Sequence, residues 1–236
     1  MKYGEIVQLG RHRLMCGDAT KAEDVEKLID GRSVDLVLTD PPYGVNSVDK
    51  NTGKIGGGGK RYMPVIGDTC TDMAEEHYRI ARTLTNRQII WGGQNFTRFL
   101  PPSCGWIFWD KLKPTDKLSF GDGELAWSNF GTKIKKYAFK WNGNHRDGDP
   151  RVNDKVHPNQ KPVELHAHIL EDFSQEGDVI LDCFGGSGTT LIACEITNRT
   201  CLMMEVSPEY CDVIKNRYDK LMEGRLGFGS ATEDEG

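Results

Sequence analysis

The sequence predicts an α/β fold: a mainly parallel sheet with helices on both faces. Five short apolar runs with β-branched or aromatic content, at 34–38, 87–91, 105–109, 179–182 and 200–205, read as strands. Helix-like stretches alternate with them over short connections, the pattern of parallel strands joined by crossover helices. Two of the runs open into sharp turns of different chemistry. In open α/β sheets ligands bind at the carboxyl ends of strands, so two such turns imply a site for two substrates.

The elements follow in chain order. A short helix is expected over 23–29, before the first strand. Residues 72–84 place Met73, Tyr78, Ile80 and Leu84 near one helical face. The stretch 163–173 follows Pro162, and 189–197 follows a run of glycines. The last helix, 207–222, starts with Ser207 as N-cap and Pro208 at the first helical position. Two stretches interrupt the pattern. Residues 46–63 hold five glycines among polar residues and read as a flexible loop. Residues 110–156 hold short aromatic runs and then a polar segment, which predicts a small β-rich insert. The acidic end, 223–236, reads as a disordered tail.

Composition sets the class. The 236 residues suffice for a full core, and 37% apolar with 28% charged residues is usual for a globular protein. No apolar run reaches 18 residues, so no membrane helix is expected, and the N-terminus has no signal-peptide core. Seven cysteines without a Cys-x-x-Cys, and six histidines without ligand spacing, predict reduced thiols, a cytoplasmic location and no metal site. The net charge of −5 hides local excesses of base. Lys50, Lys54, Lys60 and Arg61 lie in 50–61 without an acid, and seven lysines, Lys133, Lys135, Lys136 and Lys140 among them, crowd 111–140. Such patches, rather than the total, decide where a phosphate backbone can lie.

The first turn is Asp40-Pro41-Pro42-Tyr43. An amino group conjugated to a base ring is a poor nucleophile because its lone pair is delocalised. The Asp40 carboxylate and the Pro41 carbonyl can accept its two N–H hydrogens, Pro42 helps fix the turn, and Tyr43 offers a face for stacking. The alternative is an ordinary turn capped by Asp. The second turn is Asp182-Cys183-Phe184-Gly185-Gly186-Ser187-Gly188-Thr189-Thr190. Its glycines permit close ligand approach, but the spacing fits neither a dinucleotide loop nor a P-loop. Glu205 ends the next strand, where a carboxylate suits ribose hydroxyls. Ribose plus a close-approach loop fits an adenosyl cofactor.

In this order the motifs resemble the β-class DNA amino-methyltransferases, over most of residues 11–221. Cys16-Gly17-Asp18-Ala19 is similar to the family's acidic motif before the catalytic strand, and His157-Pro158-Asn159-Gln160-Lys161-Pro162 to the segment before the cofactor strand. The resemblance implies a Rossmann-like methyltransferase sheet with permuted motif order. It implies a catalytic half at 1–109, a target-recognition insert at 110–156 and a cofactor half at 157–222. It also implies S-adenosyl-L-methionine as cofactor, held by Asp18, Lys161, Asp182, Phe184, Gly185, Gly186, Ser187, Gly188, Thr189 and Glu205. The expected partner is double-stranded DNA in a prokaryotic or phage setting. Lys54, Lys60, Arg61, Lys133, Lys135, Lys136 and Lys140 are the expected phosphate contacts, and the short insert suits a short or relaxed site or a homodimer. Asp at position 40 favours adenine N6, by direct attack of a flipped base on the methyl group. Cytosine N4 and a non-catalytic nucleic-acid-binding subunit are the alternatives.

Overall fold

The computed structural model describes residues 1–45, 66–112, 121–142, 145–146 and 156–229. The glycine-rich stretch 46–63, with Lys54, Lys60 and Arg61, lies outside these described residues, as do 230–236.

Nine strands form one sheet in the order β1-β2-β11-β10-β3-β4-β6-β5-β7. The middle of it is a parallel block, four of whose five strands the sequence predicts. It comprises β2 (His12–Cys16), β11 (Thr200–Glu205), β10 (Val179–Asp182), β3 (Leu36–Thr39) and β4 (Gln88–Trp91). Side chains alternate across it with the period of a strand. Leu36, Leu38, Ile180 and Met203 pack on one face with α3 (Val163–Phe173), α4 (Thr189–Ile196) and α5 (Pro208–Gly229). Val37, Leu181, Leu202 and Met204 pack on the other with α1 (Ala22–Ile29), while Ala81 of α2 (Asp72–Leu84) joins the same cluster. Helices therefore cover both faces, as the sequence predicts.

The strand order reverses between β10 and β3. From β10 the chain passes through α4 to β11 on one side; from β3 it passes through α2 to β4 on the other. Their paired residues, Leu181 with Val37 and Ile180 with Leu36, bring the two polar turns to neighbouring strand ends. This switch point opens a crevice beyond the carboxyl ends, and it is why motifs about 140 residues apart meet.

Three elements differ from the sequence reading. First, an N-terminal hairpin, β1 (Ile6–Leu9) with β2, extends the sheet. Its strand pattern is obscured because β2 buries a polar residue: His12 bonds Glu195 at 2.8 Å and accepts from the Cys201 N–H at 2.9 Å. Second, the β-rich stretch is not set apart. β6 (Gly123–Ser128) lies between β4 and β5 (Gly105–Asp110), antiparallel to both, and β7 (Lys135–Ala138) forms the edge. A small separate pair, β8 (Trp141–Asn142) and β9 (His145–Arg146), is all that stands off the main sheet among the described residues. Third, α5 runs on to Gly229, so 223–229 is helix rather than tail. Its N-cap is as expected, with the Tyr210 N–H bonded to Ser207 Oγ at 3.2 Å.

Candidate active site

The crevice at the switch point is lined by Asp40, Pro41, Pro42 and Tyr43 after β3. Facing them are Asp182, Phe184, Gly185, Gly186, Ser187 and Thr189 after β10, Glu205 at the end of β11, and Lys161 before α3. Twelve predicted residues thus converge from four segments. Two do not line it. Gly188 takes φ +80° as the N-cap of α4, and a Cβ there would meet Ile214 at 2.9 Å. Asp18 serves its own turn instead: its carboxylate accepts from the Thr20 hydroxyl at 2.7 Å and the Thr20 N–H at 3.0 Å.

On the glycine side, the Glu205 carboxylate accepts the Gly186 N–H at 2.7 Å and the Ser207 N–H at 2.9 Å. It closes the loop from across the sheet. Burial raises its proton affinity and these backbone donors only partly offset that, leaving the carboxyl at about 7. Gly185 owes its identity to packing: a Cβ would meet Met203 Cγ at 2.9 Å and Ile214 Cδ1 at 3.1 Å. Gly186, at φ +52°, faces the His157 ring. Val206, Ser207 and Tyr210 also line the crevice, and a strand-end reading of Glu205 alone does not anticipate them. A buried carboxylate beside aromatic and apolar walls fits a ribose with an attached purine.

Asp182 is a brace between the two halves. It accepts from Thr39 Oγ1 at 2.8 Å, Thr190 Oγ1 at 2.6 Å and the Phe184 N–H at 3.1 Å. Thr39 immediately precedes Asp40, so this brace fixes the start of the first turn against the second. Burial lifts the Asp182 carboxyl to about 6 in spite of these donors. His166 continues the chain. Its Nε2 accepts from Trp91 Nε1–H at 3.2 Å, which leaves Nδ1 to donate to Thr190 at 3.1 Å. Burial, with the Lys161 cation second, pushes that imidazole down to about 3, so it is neutral.

The Asp40 side is built from charge. Tyr43 Oη donates to Asp40 Oδ1 at 2.5 Å. Lys161, only 3% exposed, donates to Asp40 Oδ2, lies 3.3 Å from Tyr43 Oη and 3.2 Å from Glu124 Oε2. Glu124 Oε1 in turn meets Lys111 Nζ at 2.6 Å. Burial alone would raise Glu124, but Lys161 and Lys111 hold it at about 2. Burial raises Asp40 too, against the pull of Lys161. Glu124 and Lys111 come from the stretch read as an insert, and no local motif marks them. Gly92, at φ +73°, makes room for Tyr43: a Cβ there would lie 2.2 Å from its ring.

The predicted lysine track on β7 is largely engaged elsewhere. Lys135 pairs with Asp172 at 3.1 Å and Lys136 with Asp110 at 2.7 Å, because successive residues of a strand point to opposite faces. Tyr137 donates to Asp172 as well, and Trp141 is buried. Lys133 is exposed and Lys140 half-buried. Among the described residues no cluster of three or more His, Cys, Asp and Glu is arranged to hold a metal ion, and no helix is long and apolar enough to cross a membrane.

A family model described as DNA methylase, of the N6/N4 type, matches residues 109–216. The type II methyltransferase M.HpaI of Haemophilus parainfluenzae is 26% identical over 245 residues, spanning 90% of this chain and 76% of its own. Among solved structures, M1.HpyAVI in complex with SAM superposes with TM-score 0.53 at 23% identity, covering 83% of this chain and 95% of that one. The cytosine-N4-specific PvuII DNA methyltransferase does so with TM-score 0.58 at 15% identity, covering 94% and 97%. With the motif order and the switch-point crevice, these matches make the chain similar to the N6/N4 DNA methylases over residues 109–216 and to a type II methyltransferase over most of its length.

Proposed function

We propose that this protein transfers a methyl group from S-adenosylmethionine to the N6 amino group of adenine in double-stranded DNA. The observation that carries the reading is the meeting of two loops in one crevice. The Asp40 turn offers acceptors suited to an amino group. The glycine loop, closed by Glu205, offers a cradle suited to an adenosyl group. When bound, S-adenosylmethionine supplies an electrophilic methyl on a sulfonium centre. Glu205 would accept from its ribose, and Phe184, Val206 and Tyr210 would wall its purine.

The residues on the other side do the positioning. The target adenine must leave the stack, since its amino group is out of reach within the duplex. Asp40 and the Pro41 carbonyl accept its two N–H hydrogens, which gathers the nitrogen lone pair out of the ring. Tyr43, fixed by its bond to Asp40, presents its ring to the base. The proton shed by the alkylated nitrogen passes to Asp40 and on to water. Catalysis is then chiefly orientation and electrostatics, with no covalent adduct to the protein.

Cytosine N4 is the second reading, since both are exocyclic amino groups of similar geometry. The fold likeness to PvuII methyltransferase, at 15% identity, does not choose between them. Asp at position 40 favours adenine. Mass spectrometry of nucleosides from DNA methylated by the purified protein decides it: N6-methyladenine is expected, and N4-methylcytosine alone reverses the assignment.

A further inference from the structure

Lys161 meets two carboxylates at once inside the crevice, Asp40 on one side and Glu124 on the other. Glu124 is held at its second oxygen by Lys111. The row Asp40, Lys161, Glu124, Lys111 alternates in sign, and its four members come from four separate stretches of chain. A carboxylate accepts an N–H bond more strongly the more basic it is. A cation held by Asp40 alone would drain that basicity; a cation shared with a second carboxylate drains it less.

We propose that Glu124 is a positioning residue for the methyl transfer: by sharing Lys161 it keeps Asp40 a strong acceptor for the target amino group, acting through Lys161. The inference rests on the methyltransferase reading above. Other groups bear on Asp40 as well. Tyr43 comes from its own turn. Asp182 faces it from β10, its charge already engaged by Thr39, Thr190 and the Phe184 N–H. His166, beside Lys161, is neutral. None of these is substituted in the variants below, and loss of the Glu124 charge only pushes His166 further toward its neutral form.

The signs are opposite for the two ends of the row. Glu124→Gln removes a negative charge near Asp40 and commits Lys161 to it, so Asp40 protonates at lower pH. Lys111→Met leaves the Glu124 charge less compensated and draws Lys161 away, so Asp40 protonates at higher pH. Two readouts test this. One is the single-turnover rate on unmethylated plasmid DNA as a function of pH. The other is the titration of the Asp40 carboxyl by carbon-13 NMR in the protein alone, assigned with Asp40→Asn. We expect Glu124→Gln to slow transfer about tenfold. We expect its acidic limb and its Asp40 midpoint to fall by about one pH unit, and both to rise in Lys111→Met. A merely structural role for Glu124 would slow transfer without moving the midpoint. An unchanged rate or midpoint in Glu124→Gln overturns the proposal. If that variant does not fold, Lys111→Met decides alone, at a position that is partly exposed: a static or lowered midpoint overturns it. A parent protein that methylates no DNA would overturn the methyltransferase reading instead, and the NMR midpoints would still judge the charge row.

Discussion

The two walls of the crevice are built on different principles. The glycine loop is nearly contiguous, and backbone groups hold it. The Gly185 N–H bonds the Met204 carbonyl at 2.8 Å, the Gly188 N–H bonds the Gly185 carbonyl at 2.7 Å, and the Gly186 N–H reaches Glu205. The Asp40 wall is a set of charged side chains drawn from β3's end, β5's end, β6 and the lead into α3. Backbone cradles tolerate the loss of one side chain, because most of their bonds involve none. A charge row does not, because each buried member compensates its neighbour. The difference teaches that binding and chemistry should fail separately in this protein.

The largest expected effect is the sharpest test of that separation. Asp40→Ala should lower methyl transfer at least about a thousandfold, since on the proposed mechanism it removes an acceptor for the reacting amino group. Cofactor affinity should hold, because Lys161 keeps Glu124 as a partner and the glycine loop is untouched. Comparable turnover in the variant and the parent, or a cofactor affinity that falls along with turnover, would break the comparison.

Lys161→Met probes the wall's own stability. It leaves Asp40 and Glu124 facing each other without their shared cation, at a cost of about 2–4 kcal/mol. The cost sits below that of a wholly buried pair because the two side chains are 22% and 26% exposed. Glu124 is depressed to about 2 from 4.5 in the folded protein. Its pairing therefore stabilises above pH 4.5 and is lost as pH falls from there toward 2. Urea unfolding at several pH values should show the gap between variant and parent closing over that range. A gap that is constant with pH would mean the lysine matters by packing alone.

On the other wall, Glu205→Gln should weaken S-adenosylmethionine binding by about 1–3 kcal/mol. The parent carboxyl stands at about 7 and ionises above that value, so parent affinity should climb as pH rises from 6 to 8. The variant should show no such climb. Calorimetry at pH 6 and pH 8 distinguishes them, and equal pH slopes would remove Glu205 from the cofactor site.

The smallest effect is expected in DNA contact. Replacing Lys60 and Arg61 by alanine should weaken duplex binding across all sequences and lower the salt slope by about 0.9 for each phosphate that is no longer neutralised. Neutralising Lys135 and Lys136, already paired with Asp172 and Asp110, should change that slope less. The reverse ranking would move the DNA track to β7.

Sequence alone determined four strands of the parallel block, its covering helices and the two turns. These rest on short-range facts: apolar runs, an N-cap at Ser207, prolines that fix Asp40's turn, and a loop whose glycines sit within four residues. It also carried Lys161 to the crevice, though by resemblance and toward the cofactor. The structure shows it bonded to Asp40. Only the tertiary structure decided the rest. The hairpin at the N-terminus stayed hidden because His12 breaks its apolar pattern and finds its partner, Glu195, 183 residues away. Asp18 turns to Thr20 rather than into the crevice, because a cap and a ligand-binding carboxylate use the same side chain and only geometry tells them apart. Glu124 and Lys111 were invisible because an ion pair leaves no periodicity and no local spacing. Their meaning arises when β6 slots between β4 and β5 and sets a carboxylate against a lysine whose chain position is 37 residues further on. Backbone preferences act over a few residues and can be read along the chain. Electrostatic pairing acts through space, and the fold alone fixes which charges meet.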